Sequence, residues 1–464
     1  MIEFYHQHFK SNYTAKIKQL ITDIERLLFL EDISVDDNFK EVLDSQFKLN
    51  LNDNLWKKVN CLYETLYKNN GKISNTLTKF INKTKKPENS YRFIDTFAGC
   101  GGLSLGVSRA GFNPVLINEI EPKFLETYYF NHELHIDSYK CCDIKELITP
   151  KSLTTNDLQD VDLVVGGPPC QGFSMANRQR IIDDPRNKLY KHFLELLNLS
   201  RPKFFIMENV KGMINKSEEI IDNFTSTLGK EYSIDIVLLN AKDYNVPQNR
   251  ERVFVVGSKL KSHLASDIIT SILKKKGQIV NLHESIYDLP RLDPKIEKHT
   301  RGLENDKIGY KFTKVRYSVG DFPRSLGRVK VEYLSNHVNR YNNSRDVEIF
   351  SKLPQGCNSL HKSISDIMPY SKRNHMFKDK YFKLDAKKPS KTITSHMKFD
   401  CNMYIHPTQS RGLSPREAAR IQTFPDDYIF MGANNSWYAQ IGNAVPVRLA
   451  ETIANDIMQR LRNE

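Results

Sequence analysis

The sequence predicts an α/β fold, a mainly parallel but mixed sheet covered by helices, with a separate small domain after it and a helical extension before it. Three observations predict this. Between Tyr91 and Ser258 the short apolar runs "YRFID", "PVLIN", "VDLVV", "KFFIM", "YSIDIVLL" and "RVFVVG" alternate with helix-patterned segments, the rhythm of strands joined by helical crossovers. After Ser258 that rhythm is lost in a polar stretch rich in Lys, Arg, Asn and His, running to about residue 395. Residues 1–90 place apolar and charged positions at roughly helical spacing, as in "IKQLITDIERLLFL", and end in the basic "KFINKTKKPENS". The expected division is therefore an extension and linker at 1–90 and a core domain at 91–258. A variable domain follows at 259–436, and a segment at 437–464 returns to the core.

Composition narrows the class of protein. A chain of 464 residues, 39% hydrophobic, can bury a sizeable core. The first residues, "MIEFYHQHFK", have neither the charge pattern nor the apolar run of a secretory signal, and no stretch approaches a membrane span. A cytoplasmic protein is expected. The cysteines (Cys61, Cys100, Cys141, Cys142, Cys170, Cys357 and Cys401) are odd in number and lack paired CxxC spacing, so neither a disulfide framework nor a metal site is expected. A net charge of +13 with pI near 9.1 favours a polyanionic partner, most often nucleic acid.

The first strand, in "FIDTFAGCGGLSLG", runs into a glycine-rich turn and then a helix. Gly99, Gly101 and Gly102 let the backbone turn tightly and a ligand approach it. Ser104 stands where a dinucleotide fingerprint needs its third glycine, which makes that reading poor. Glu119 closes the second strand, where a carboxylate can accept both hydroxyls of a ribose. Asp143 closes the third element after "YKCC" and is placed to accept from an adenine amino group. Glycines, then Glu, then Asp at three consecutive strand ends describe a nucleoside pocket without a phosphate loop. That suits S-adenosylmethionine (AdoMet) better than NAD or ATP.

The fourth strand stops at Pro-Pro and presents Cys170 in "GGPPCQGFS". Proline ends the extended run and cannot start a helix there, so the thiol sits at the carboxyl edge of the sheet, where ligands bind in open α/β folds. A buried cysteine acting as a small hydrophobe is the commoner fate of a free thiol. Glu208 follows the buried run "FFIM", an unusual place for a solvated carboxylate. Gln248, Arg250 and Arg252 form a Q-x-R-x-R pattern whose alternation puts all three on one strand face. Later, Ser414, Pro415 and Glu417 have the spacing of a capped helix start in "RGLSPREAARIQTFPDDY". The two closing core strands are too near in sequence for a long crossover, which allows antiparallel pairing.

Taken in order, "DTFAGCGG", "NEIEP", "GGPPCQGFS", "MENVKG", "VPQNRERVFVVG", "RGLSPREAARIQTFPDD" and "QIGNAVPVRLA" resemble the bacterial DNA (cytosine-5) methyltransferases. The resemblance covers about 91–258 and 385–450. It implies an AdoMet-dependent, Rossmann-like methyltransferase sheet with a separate target recognition domain in the variable stretch. It implies Cys170 as the nucleophile, with Glu208, Arg250 and Arg252 beside it at the cytosine ring. For AdoMet it implies Phe97, Gly99, Gly101, Gly102, Glu119, Ile120, Asp143, Ile144, Pro168, Leu189 and Asn443. For DNA it implies Gln171, Ser174, Arg178, Arg180 and Gln248, with the basic stretch "SMANRQRIIDDPRNK" closing as a lid over a flipped base.

Two departures from the family are visible. Ile120 stands where a tryptophan is common, and Val447 where a second proline is. Double-stranded DNA is the expected partner, bound by a monomer, and a cognate restriction endonuclease acting separately fits the bacterial character. Two other readings stay open at this stage. An RNA cytosine methyltransferase on the same scaffold usually carries a Cys-Phe-Thr tripeptide, which this chain lacks. A catalytically silent DNA-binding protein would be free to lose Cys170, Glu208 or Arg252, yet all three are present.

Overall fold

The structure, a computed structural model, describes residues 2–9, 13–30, 32, 91–132, 134–149, 153, 158–169, 189–298, 304–327, 332–369, 380–399 and 402–464. The expected lid after Cys170 and most of the 1–90 extension lie outside these residues.

The apolar runs become the strands β1 (Arg92–Thr96), β2 (Asn113–Asn118), β3 (Tyr139–Lys140), β4 (Leu163–Gly166), β5 (Phe204–Val210) and β6 (Ser233–Asn240). A two-residue β7 (Gln248–Asn249) precedes β8 (Glu251–Ser258). Seven of the eight form one sheet in the order β3-β2-β1-β4-β5-β8-β6. The first five pair in parallel, and β4 is buried at every position, as a strand covered on both faces must be. The last two run antiparallel, with Ser233 opposite Ser258 and Asn240 opposite Glu251. β8 slots between β5 and β6, so the short connection after β6 feeds the strand beside it.

Helices cover both faces. Gly102–Arg109, Ala265–Lys274 and Val447–Arg462 bury Val107, Ile268, Ile272, Leu449 and Ile453 against one face. Leu189–Ser200 and Ser217–Leu228 bury Phe193, Leu197, Ile220 and Phe224 against the other. Gly106 allows the first and last of these helices to touch, because a Cβ there would stand 2.5 Å from Ala450 Cβ. Packing against the sheet therefore continues past residue 258. Ala265–Lys274 is a strongly amphipathic helix whose apolar side belongs to the sheet's core, and the surrounding polar composition hides that periodicity.

The second domain packs around Leu282, Ile286, Leu334, Leu384, Ile393, Phe424 and Tyr438, in a core that also takes in Cys100 of the glycine turn and Val447 of the last helix. Its hairpin pairs β9 (Gly309–Lys314) with β10 (Tyr333–Val338), and β11 (Ser390–Lys391) pairs with β7. The predicted helix start is present. Pro415–Ile421 begins at Ser414, whose hydroxyl accepts from the Glu417 amide while the Glu417 carboxylate accepts from the Ser414 amide. In the N-terminal extension, helices α1 (Ile2–His8) and α2 (Tyr13–Leu30) bear out the helical reading for the described part. Among the described residues no helix is long and apolar enough to cross a membrane.

Candidate active site

The glycine turn after β1 is built by left-handed backbone at Phe97 (φ 58°), Gly99 (φ 58°) and Gly101 (φ 89°). A Cβ on Gly101 would come within 2.8 Å of His132, Tyr128 and Tyr428 side chains, so only glycine fits. A Cβ on Gly99 would meet nothing within 4 Å, which leaves open space over the turn. Glu119 closes the far side. Its carboxylate accepts from the Gly99 amide at 2.8 Å and the Glu121 amide at 2.9 Å. Burial raises the Glu119 carboxyl, and those amides oppose the rise. Ile120 beside it is 59% exposed, an apolar side chain outside the core.

Asn118 binds the carbonyls of Lys140 and Cys142 at 3.1 and 2.9 Å, which fixes the end of β3 against β2. Asp143 follows at once and caps the short helix Ile144–Leu147 by accepting from the Lys145 amide at 3.0 Å. Its second carboxylate oxygen has no role in that cap. Ile144 is buried in the core below it. Phe97 and Leu189 are partly buried against the same cluster, and Asn443 is exposed at the end of the helix Asn434–Asn443.

Support for the turn comes from residues that sequence reasoning missed. Tyr428, from the distant "TFPDDY" segment, donates its hydroxyl to the Cys100 carbonyl, and Cys100 Sγ lies 3.4 Å from the Gln440 carbonyl. Burial pushes the Cys100 thiol well up, so it is an inert packing group. Asp95 in β1 is fully buried and accepts from the Ser104 hydroxyl; burial raises it to about 8. Ser104 thus has a physical reason to replace the glycine of a dinucleotide turn. That substitution was the one available signal for the Asp95 pair.

A second polar cluster lies at the carboxyl ends of β4 and β5. Glu208 stands opposite Phe254 and Val210 opposite Arg252 in the antiparallel register, so Glu208 and Arg252 are diagonal cross-strand neighbours within reach of each other. Arg252 Nε meets Glu208 Oε1 at 2.9 Å, with both side chains only slightly exposed. The other carboxylate oxygen faces Gly167, where a Cβ would stand 3.2 Å away. The Asn209 amide donates to the Pro168 carbonyl at 3.0 Å, tying the Pro-Pro segment to β5. Cys170, Gln171, Ser174, Arg178 and Arg180 lie outside the described residues.

Gln248 and Arg250 are held inside the protein. Both are buried, at 0% and 1% exposure. Gln248 donates to Gln422 at 2.7 Å and accepts from the Ile393 amide at 2.7 Å. Arg250 donates to the carbonyls of Ile393 at 2.6 Å and Ala444 at 3.0 Å. These contacts seat both side chains at the seam with β11 and the C-terminal segment, and Arg250 lies near enough to Arg252 and Glu208 to interact with their charges. Arginines of the later motif are also structural. Arg411 forms a bidentate pair with Glu417 at 2.8 and 2.6 Å, and Arg420 pairs with Asp426 at 2.8 and 2.6 Å. Part of the chain's positive charge is therefore internal glue.

Comparison with known proteins agrees with this geometry. A crystal structure described as a DNA modification methyltransferase encoded within an E. coli prophage superposes with a TM-score of 0.61 at 27% identity, covering 81% of this chain and all (100%) of that one. Fold and site together define a Rossmann-like methyltransferase. Residues 91–459 match the C-5 cytosine-specific DNA methylase family, and the chain belongs to it. Among its relatives are the type II methyltransferase M1.HphI of Haemophilus parahaemolyticus, 32% identical over 81% of this chain and 88% of its own length. Another is M.DdeI of Desulfomicrobium norvegicum, 35% identical over 80% and 89%. The enzyme is a DNA (cytosine-5) methyltransferase.

Proposed function

We propose that this enzyme transfers a methyl group from AdoMet to carbon 5 of a cytosine in a specific duplex sequence, flipping the base and forming a covalent adduct with Cys170. The observation that carries the reading is the Glu208–Arg252 pair at 2.9 Å beside the Pro168–Asn209 tie. Carbon 5 is a poor nucleophile until a thiolate adds to carbon 6 and makes the ring enamine-like. The Pro-Pro segment that leads to Cys170 is held against β5 by Asn209, so the nucleophile is delivered from the strand next to Glu208. Arg252 orients the carboxyl group of Glu208, which supplies or shares a proton at the ring nitrogen and amino group as electrons enter the ring. Once carbon 5 carries the methyl group, its proton passes to a base or to solvent, the C5–C6 double bond re-forms and the carbon 6–sulfur bond breaks, releasing the Cys170 thiolate. Access from both ring faces requires the base to leave the stack.

The residues present fit AdoMet. The open space over Gly99 takes a ligand close to the backbone, and Glu119 keeps acceptor capacity for ribose hydroxyls. Ile120 and Phe97 supply apolar surface for adenine and the sulfonium, Asp143 accepts from the adenine amino group, and Ile144, Pro168, Leu189 and Asn443 complete the pocket. When bound, AdoMet supplies an electrophilic methyl group. Gln171, Ser174, Arg178 and Arg180 are the proposed DNA contacts next to the nucleophile. Its relatives' names, type II methyltransferases, support a place in a type II restriction-modification system; a separately acting endonuclease, a monomeric state on DNA and a cytoplasmic location are further parts of the proposal. Bisulfite sequencing of DNA from a methylation-free host expressing the chain tests the reading. Protected cytosines at one recurring duplex sequence are expected; a folded, soluble protein that protects none would overturn it.

A further inference from the structure

The family match begins at residue 91, yet α1 and α2 are packed into the methyltransferase and touch both of its domains. On the core side, Phe4 stacks on Tyr129 with ring centroids 4.0 Å apart and meets Tyr139 of β3 edge-on at 5.9 Å. Tyr5 donates to Glu126 Oε1 at 3.1 Å, and Lys16 pairs with the other oxygen of the same carboxylate. Glu126 is only 3% exposed, so these contacts with α1 and α2 are shielded from water. On the other side, Asp23 of α2 holds Lys311 of β9 with both carboxylate oxygens, at 2.8 and 2.7 Å, and also accepts from Gln19 at 3.0 Å. The Asp23 and Lys311 side chains are 3% and 11% exposed.

β10, the partner of β9, is already fastened. Arg416 donates to the carbonyl and hydroxyl of Ser335 at 2.8 and 2.6 Å, and Asn336 exchanges hydrogen bonds with the backbone of Phe430 at 2.9 and 3.0 Å. The outer strand has its own fixed point in Asp23. A buried, paired charge is costly to separate, so the pair resists rotation of the hairpin about its inner strand.

We propose that α1 and α2 tie the β9–β10 hairpin to the catalytic core, and that Asp23 is a positioning residue that sets the hairpin's orientation toward DNA. The proposal rests on the reading of this second domain as the part that recognises DNA. The contacts of α1 and α2 named above are with Glu126, Tyr129, Tyr139 and Lys311, so the expected effect is on DNA engagement and discrimination and not on the chemical step.

The test uses the full chain with Asp23→Asn, which keeps the shape and removes the charge, and Asp23→Glu, which restores it. Amide hydrogen exchange at Gly309–Lys314 should quicken in Asp23→Asn while β1 to β5 keep wild-type protection. This readout tests the tie whether or not the wild-type protein methylates DNA. With active enzyme, KM for cognate DNA should rise roughly tenfold and discrimination against a one-mismatch site should fall, with kcat and AdoMet affinity unchanged. Asp23→Glu should recover both. Wild-type exchange at Gly309–Lys314 in Asp23→Asn would overturn the tie. Equal loss of AdoMet affinity and DNA affinity would overturn the positioning role, because the pair would then serve only the fold.

Discussion

Arg252 places its Nε 2.9 Å from Glu208 Oε1 across two antiparallel strands. Both partners sit on neighbouring strands of one sheet, so the fold itself orients the carboxyl group. Preorganisation of this kind lowers the cost of the reacting geometry.

Glu208→Gln should keep the pocket's shape and lose the transferable proton. A fall in kcat of about 10²- to 10⁴-fold is expected, the usual contribution of a positioned acid, with AdoMet affinity unchanged. Single-turnover methylation at saturating DNA measures it. Wild-type turnover would remove Glu208 from the chemistry.

Glu119→Ala should weaken AdoMet binding by roughly 1.5 to 3 kcal/mol, the loss of charge-assisted hydrogen bonds to ribose. DNA binding without cofactor should change little. Calorimetry on the purified variant checks this, and an unchanged dissociation constant would place Glu119 outside the pocket.

Asp95 gives a pH signature. Burial raises its carboxyl from 3.8 to about 8, so the folded state holds a proton that the unfolded chain releases. Its contribution to stability is complete below about pH 4 and is lost as pH rises toward about 8, with a slope of up to about 1.4 kcal/mol per pH unit. His337 and His406, lowered by burial to about 4 and about 3, act in the opposite direction below their ordinary 6.5. The difference between wild type and Asp95→Asn isolates the carboxyl. Urea unfolding at pH 5 and pH 8 should show the variant losing less stability than wild type over that interval. Parallel losses would mean that Asp95 ionises normally.

Much of the core was legible in the sequence because each strand is a short apolar run ended by glycine, proline or an acid. Glu119 follows the second strand and meets the glycine turn at Gly99, and the Ser414–Glu417 capping box formed as read. Side-chain destinations across domains were not legible. Gln248 and Arg250 look like groove-facing polar residues until Ile393, 143 residues beyond Arg250, returns to meet them. Tyr428 behind Cys100 and Asp23 under Lys311 are contacts of the same kind, made by folding segments whose separation erases any local pattern. The helix Ala265–Lys274 was hidden for another reason, its flanks being polar while one face alone is apolar.

The central claim is the covalent attack by Cys170. The most direct test places 5-fluorocytosine at the methylated position of a cognate duplex and adds enzyme with AdoMet. Fluorine cannot leave as a proton does, so the adduct should survive denaturing electrophoresis, and mass spectrometry of the trapped peptide should place the nucleotide on Cys170. Cys170→Ser should give no trapped species and no methyl transfer while still binding DNA and AdoMet. An active enzyme that traps nothing, or that carries the nucleotide on another residue, would contradict the account.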